Sequence, residues 1–495
     1  MMNEKNFKKW LGRTAYQLMP DRFARDESVH IDNIPGRILK TWNDRMPNWQ
    51  PDEKGEYLNN FYYGGNINGL KEKLSFLKIL GFDMIYITPI EQSEEYHHYD
   101  VGDHETIDPW LGTWDDFRSL CNTAHKLDIL VMVDLVFNHT GIHSRYITEH
   151  PDWYEDNNGQ HTFWYGFKNL PTCNKFNKSY QDAMTEVIET YLKNGADGIR
   201  LDLAEIFPKE FLYALNRVKE KYPEAIFVGE MWDFAISDRE EERKYSKVLD
   251  GELDSVMNYP IADAILRWVR WGEYRHFQYN FDRVYNMYPE NVQNVLLNNV
   301  GTHDNPTTMT MLAGDKMNND VLSRDRIWDI EGPWRKSDGS FDTYGFRKFE
   351  AEHDSLNDEE YELGKKLTKL AIAIMYTLPG IPCIFQGTEI AETGYKDPFN
   401  RKPYNWNSNE SEMLDFVKNI GRYRHKNKDI LASGKIKLVS IDAETMVLER
   451  YTDEGKKLFL IANRTDEERC SQIIINGQPE KIWVGPYSTI RLRTI

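Results

Sequence analysis

Short, continuously apolar runs that end on a charged residue alternate along this chain with longer stretches of helical spacing. Residues 84–88 (MIYIT) read as a strand, and 114–127 as an amphipathic helix. Thr113, ahead of Asp115 and Asp116, marks the start of that helix. The run 129–136 (ILVMVDLV) is a second strand, with a helix over 180–194. Residues 198–203 (GIRLDL) are a third, with a helix over 209–221, and 225–230 (AIFVGE) a fourth. Later runs over 293–300 and 381–386 lead into GTHD (301–304) and GTE (387–389). Continuous rather than alternating hydrophobicity predicts strands buried on both faces, as in a parallel sheet. Strand and helix in alternation predict an α/β fold. Acids placed just after strand ends point to a (β/α)8 TIM barrel with its chemistry at the carboxyl ends.

Two segments depart from that rhythm. Residues 139–180 are polar and aromatic and too long for a simple strand-to-helix loop. They predict a subdomain inserted after the Asp134 strand, the third of the barrel once a strand at Tyr16 is counted, and lying over the barrel mouth. Residues 431–495 turn β-rich (IKLVSI, TMVLERY, KLFLIANR, SQIIING, TIRLR), with turn signals at 453–455 and 476–477. They predict a C-terminal antiparallel β-sandwich domain. The expected domains are therefore 1–138 and 181–430 for the barrel, 139–180 for the insert and 431–495 for the sandwich. The polar stretch 325–346 (DRIWDIEGPWRKSDGSFDTYGF), within 310–360, fits neither a helix pair nor a lid better than the other.

Composition narrows the function. The 495 residues carry 61 basic and 79 acidic side chains, a net charge of −18. A nucleic-acid binder would present a basic face, and an anionic membrane would repel this one. A neutral partner is expected, with neither nucleic acid nor membrane. Cys121, Cys173, Cys383 and Cys470 stand far apart, with no CxxC pair, which argues against zinc and against a disulfide framework. The first residues carry charges and no apolar core of a leader, so a cytoplasmic location is expected. The apolar stretch 370–385 is broken by Pro379, Gly380 and Pro382 and reads as helix, turn and strand.

Asp134, Asp202, Glu230 and Asp304 each follow an apolar run, and in a barrel such ends face one pocket. Glycosidic cleavage needs two carboxyl groups, one protonated to expel the leaving oxygen and one ionised to attack or to activate water. Arg200, two residues before Asp202, faces the same side of its strand and is placed to hold that acid ionised. His139 and His303 offer hydrogen-bond donors for sugar hydroxyls. Each residue alone has an ordinary explanation: a helix cap for an isolated acid, a structural ion pair for Arg200 and Asp202.

DLVFNH (134–139), GIRLD (198–202), FVGE (227–230) and GTHD (301–304) together resemble the four signatures of the α-amylase superfamily of retaining glycoside hydrolases, glycoside hydrolase family 13. YQLMPDRF (16–23), GGNINGLKEKL (64–74), HHYD (97–100) and DPFNR (397–401) resemble further elements of the same superfamily. DSVMNYP (254–260), MYPENV (287–292), GEMWD (229–233) and PGIPCIFQGTE (379–389) resemble the neopullulanase, cyclomaltodextrinase and maltogenic amylase group. That group carries an extra N-terminal domain that helps to form its dimer. Tyr16 already resembles the first barrel strand, so that domain is expected to be missing, and the oligomeric state is left open. LPTCN (170–174) and LAEI (203–206) differ from the group's motifs, which leaves α-1,4 versus α-1,6 preference open.

The resemblance implies roles. Asp202 would be the nucleophile, Glu230 the general acid and then base, and Asp304 the ligand of the 2- and 3-hydroxyls of the −1 sugar. Arg200 would orient Asp202. His139 and His303 would donate to the −1 sugar, Tyr99 would stack under it and His97 would lie beside it. Asp397 and Arg401 would close the far rim, and Asp134 would be a scaffold acid. Keeping Glu230 protonated calls for a dry wall, for which Trp232 is the candidate. No cofactor is required. Calcium is left open, with Asn138 as a candidate ligand where the insert meets the barrel and Asp21 and Asp26 near a second ion position, although the histidine that completes the first site in many amylases has no counterpart after Asp202. The expected function is hydrolysis of maltooligosaccharides or cyclodextrins, with transglycosylation open as a further outcome. The alternatives are an exo-α-glucosidase, a glucan transferase or a trehalose-type isomerase on the same scaffold. A non-catalytic binding relative is the alternative of another class. An unrelated barrel for phosphorylated substrates is disfavoured by the missing Gly-rich phosphate cradle.

Overall fold

The computed structural model describes residues 8–157, 159–236, 247–249, 251–314, 336, 342–475 and 477–494. Eight short strands carry the fold: β1 (Ala15–Leu18), β2 (Met84–Ile87), β3 (Leu130–Leu135), β4 (Gly198–Leu201), β5 (Ile226–Gly229), β6 (Ser255–Val256), β7 (Leu297–Asn299) and β8 (Ile381–Phe385). They form one sheet in the order β6-β5-β4-β3-β2-β1-β8-β7. In this order each strand lies beside its neighbour in the chain, except for β6 and β7 at the two ends, as in a (β/α)8 barrel. Every residue of the eight strands is buried. This is why the runs read as continuous rather than alternating.

The chain divides into two compact units, one around Ala15–Met257 and one around Asn258–Ile495 with Trp10–Thr14. In the first, helices α1 (Ile67–Ile79), α2 (Trp114–Lys126), α3 (Lys178–Lys193) and α4 (Lys209–Asn216) follow β1 to β4. Asn66 caps α1 through the Gly69 amide, and Asn177 caps α3 through Tyr180. Thr113 and Asp116 form a reciprocal capping box at α2. The expected helix over 209–221 ends earlier, tightening into a 3-10 turn at Arg217–Glu220. Parallel register sets the working end of this unit. Asp134 on β3 lies opposite Arg200 on β4, and Leu201 lies opposite Gly229 on β5. Asp202 and Glu230 therefore leave neighbouring strands at the same level. Their amides donate to the carbonyls of Leu135 and Leu201, at 3.0 and 2.9 Å.

Between β3 and α3 the chain makes short helical turns and isolated bridges, His139 to Thr172, Tyr154 to Cys173 and Phe163 to Pro171. Trp153 and Tyr154 are buried there, so the segment has its own small core.

In the second unit, α5 (Tyr259–Trp271) and α6 (Tyr274–Met287) precede β7, which pairs with β8 from Leu297 opposite Ile381. The strand expected over 293–300 is shorter, because Gln293 ends a helical turn begun at Glu290. Helix α7 (Thr308–Ala313) follows β7, and α8 (Thr343–Glu352) and α9 (Asp358–Thr377) precede β8. Most of the ambiguous stretch over 325–346 lies outside the described residues, and α8 begins at its end. The apolar run 370–385 is the end of α9, a turn and β8, as its prolines suggested. Helix α10 (Glu412–Lys426) leads to the C-terminal strands.

There, β9 (Lys435–Ile441), β10 (Thr445–Tyr451), β11 (Lys457–Asn463) and β14 (Ser488–Thr494) form an antiparallel sheet. Strands β12 (Arg469–Ile475) and β13 (Gln478–Val484) form a hairpin. Val447, Phe459 and Ile461 of the sheet pack against Ile473 and Val484 of the hairpin. Burial of each such side chain contributes about 1.5–3 kcal/mol. Strand β13 was not foreseen, because QPEKIWV is largely exposed and its polar residues hide the pattern.

Candidate active site

The first unit gathers one cluster of charge. The Arg200 guanidinium is fully buried and stands among three carboxylates. Its Nη1 donates to Asp134 Oδ1 and Oδ2 at 2.7 and 2.8 Å and to Asp202 Oδ1 at 2.9 Å. Its Nη2 forms an ion pair with Glu230 Oε2 at 3.1 Å, without the alignment of a hydrogen bond. Burial acts to lower the Arg200 pKa, but the Asp134 and Glu230 charges outweigh it and hold the side chain protonated.

Asp134 is sealed from solvent. Besides Arg200, it accepts from the Tyr86 hydroxyl at 2.8 Å and the Tyr99 hydroxyl at 2.9 Å. Burial raises its carboxyl above the ordinary value, and Arg200 with the two hydroxyls pulls the other way. Of these four hydrogen bonds, one falls on Oδ1 and three on Oδ2. Tyr86 was not foreseen as part of this cluster. A tyrosine in the middle of a buried strand was its one signal, since a buried hydroxyl needs a partner.

Glu230 is held on both oxygens. Oε1 accepts from the Trp232 indole at 2.9 Å, and Oε2 from the Leu203 amide at 2.8 Å. Trp232 is thus a hydrogen-bond donor to this carboxyl, a contact that favours its charged form rather than the protonated one for which it was expected as a wall. Leu203 takes a left-handed backbone (φ 51°), and this tight turn after Asp202 accompanies the aim of its amide.

His97, Tyr99 and His139 lie in the same unit. The Tyr99 amide donates to His97 Nδ1 at 3.0 Å, and His97 Nε2 meets Glu95 Oε2 at 2.5 Å, so both ring nitrogens are engaged. His139 is buried and stacks on Trp164, with ring centres 5.0 Å apart and planes at 17°. Burial pulls its pKa down to about 3, against the Tyr99 backbone, so the ring stays neutral through the neutral range. Its Nε2 is buried without a hydrogen-bond partner. Trp164 was not singled out in the sequence, where it sits unmarked in an aromatic-rich stretch.

The second unit holds a parallel cluster after β7. Arg401 Nη2 donates to Asp304 Oδ1 at 3.3 Å, and its Nη1 pairs with Asp397 Oδ2 at 3.3 Å. Its Nε donates to the His303 carbonyl at 2.8 Å. His303 is buried, with Nε2 3.3 Å from Asp304 Oδ1. Asn400, missed in the sequence, pins this turn by donating to the carbonyls of His303 and Asn305, both at 2.7 Å. Asp304 and Asp397 keep 27% and 30% of their side chains exposed, so a ligand can reach them.

The three metal candidates each meet protein groups. Asp21 is buried, accepts from the Tyr63 and Gly64 amides and pairs with Arg22 at 3.2 Å. Asp26 closes a local turn through the Ser28 amide and hydroxyl. Asn138 Oδ1 faces a lysine ammonium, that of Lys175, at 3.0 Å. Among the described residues, Glu95, His97 and Asp100 come within 4.8 Å of one another. Asn59 and Asn169 donate to Glu95, and the Ser93 hydroxyl to Asp100, so these groups satisfy one another through hydrogen bonds.

Residues 17–164 and 145–327 match the model of the alpha amylase catalytic domain. The chain belongs to this family. Family members similar to it include an amylopullulanase of Thermoanaerobacterium saccharolyticum, 27% identical over 92% of this chain and 38% of that protein. A maltogenic alpha-amylase of Bacillus acidopullulyticus is 27% identical over 92% of this chain and 70% of its own length. The chain spans 26–38% of the amylopullulanases it matches. Among solved structures, the cyclic alpha-maltosyl-(1→6)-maltose hydrolase of Arthrobacter globiformis shares the alpha-amylase fold. Its TM-score is 0.76 at 22% identity, covering 98% of this chain and 99% of that one. Among the described residues, no helix is long and apolar enough to cross a membrane.

Proposed function

We propose that this chain is a retaining α-glucan hydrolase that cleaves α-1,4 glucosidic bonds of maltooligosaccharides or cyclodextrins, with α-1,6 cleavage and transfer as further outcomes. The carrying observation is that Asp202 and Glu230 leave β4 and β5 at the same level and meet one buried guanidinium. A nucleophile and a general acid are needed on one glycosidic bond, and adjacent parallel strands supply that pairing. The names of the relatives, amylopullulanase and maltogenic alpha-amylase, support an α-glucan substrate.

In this mechanism Asp202 attacks the anomeric carbon as Glu230 protonates the glycosidic oxygen, giving a β-linked glycosyl enzyme and a free leaving group. Glu230, now a carboxylate, takes a proton from water, which displaces Asp202 and restores the α configuration. Arg200 keeps Asp202 ionised and aimed. Asp304 binds the sugar hydroxyls more tightly as the ring flattens, which favours the transition state over the bound substrate. His139, neutral, offers a ring nitrogen to a hydroxyl. Tyr99 and His97 line the −1 subsite in the first unit, and His303, Asp397 and Arg401 take the roles at that sugar that the family resemblance implies.

A product time course on maltotriose, β-cyclodextrin, pullulan and panose, with anomeric configuration followed by NMR, tests this. Products first released in the α form support it. Products in the β form, or no turnover of any of the four, contradict it. The product set separates hydrolysis from exo-cleavage, transfer and isomerisation.

A further inference from the structure

Lys175 reaches from the segment after β3 into a nest of oxygens. Its Nζ donates to Asn138 Oδ1 at 3.0 Å and to the Cys173 carbonyl at 2.9 Å, and it pairs with Glu155 Oε1 at 3.7 Å. The residue is only 6% exposed. Its own carbonyl accepts from Gln181 Nε2 at 3.0 Å, which ties the lysine to α3. Asn138 directly follows β3, whereas Glu155 and Cys173 belong to the inserted segment. One ammonium therefore joins insert and barrel within the first unit.

A side-chain amide oxygen, a main-chain carbonyl and a carboxylate are the hard donors that calcium takes, at 2.3–2.6 Å. Here a fixed cation already stands among them, at hydrogen-bonding rather than metal-ligand distances. A divalent ion in the same place would meet the ammonium and lose those oxygens. At the second candidate position Asp21 is held by the Tyr63 and Gly64 amides and by Arg22, and Asp26 Oδ1 by the Ser28 amide and hydroxyl.

We infer that Lys175 is the resident cation of this site, standing in calcium's place and holding the insert on the barrel, so that the chain needs no calcium there. The same contact acts on the neighbouring histidine. With its oxygen turned to Lys175, Asn138 places Nδ2 3.2 Å from His139 Nδ1.

Thermal unfolding and limited proteolysis, neither of which reads activity, test the inference on the whole chain. Protein dialysed against a chelator and the same protein with millimolar calcium chloride are expected to unfold at one temperature. Both are expected to show the same protection of bonds within residues 139–177. Lys175→Met leaves three oxygens facing an apolar side chain and is expected to lower the unfolding temperature by about 3 °C or more. It is also expected to make the insert the first segment cut, with or without calcium. A chelated wild-type protein that loses insert protection and regains it with calcium overturns the inference, even if Lys175→Met fails to fold. So does a Lys175→Met protein with unchanged unfolding temperature and unchanged protection.

Discussion

Asp134 and Arg200 are register partners on β3 and β4, and their side chains meet at 2.7 Å with no exposure to solvent. Such a pair costs desolvation of both ions, which is regained only while both are present. Asp134→Asn is expected to destabilise the protein by roughly 3 kcal/mol in urea unfolding, because Arg200 loses its most buried partner. A change below about 1 kcal/mol would mean that Asp202 and Glu230 alone satisfy the guanidinium.

The roles of Asp202 and Glu230 are separable by the product formed when azide rescues a truncated side chain. Glu230→Ala is expected to lose roughly 10²–10⁴-fold in turnover. With azide it should yield an α-glycosyl azide, since the glycosyl enzyme on Asp202 still forms. Asp202→Ala with azide should give the β anomer by direct displacement. NMR of the azide products checks both, and the opposite pattern would exchange the two assignments.

Trp232 donates to Glu230 Oε1 at 2.9 Å. As Glu230 gives up its proton this bond comes to hold a carboxylate, where such a bond contributes roughly 1.5–3 kcal/mol. Trp232→Phe keeps most of the ring and removes the donor. It is expected to lower kcat about tenfold or more, with little change in unfolding temperature. An unchanged kcat would reduce the indole to a wall.

His139 gives the protein a pH dependence of defined sign. Unfolded, the imidazole takes a proton near pH 6.5, whereas the buried ring refuses it until about pH 3. The unfolded state therefore binds more protons between these values. Stability is full above pH 6.5 and falls as pH drops toward 3, by up to about 1.4 kcal/mol per unit. Urea unfolding from about pH 7.5 to about pH 5.5 should show a flatter dependence for His139→Asn than for the unaltered chain. Equal slopes would show that the ring protonates freely in the native state.

The barrel strands were legible because parallel strands buried on both faces leave unbroken apolar runs, and their acids were legible because they ended those runs. Thr113 announced α2 through a local spacing that the backbone itself reads. The partners of these residues were not legible. Tyr86 meets Asp134 from 48 positions away, Lys175 meets Asn138 from 37, and Trp164 stacks on His139 across a segment without regular structure. Such contacts follow from register and packing rather than from any local period. Strand β13 escaped for the related reason that an exposed edge carries little hydrophobic signal.

The account depends most on Asp202 forming a covalent bond to the sugar. A 5-fluoro-α-maltosyl fluoride carries a leaving group that needs little protonation, and its ring fluorine slows turnover of the intermediate. Incubation followed by peptide mass spectrometry should place one fluoroglycosyl group on the peptide containing Asp202, and none on the Asp202→Asn protein. A label on another residue, or hydrolysis of the fluoride to the β anomer with no label, would contradict a nucleophilic Asp202.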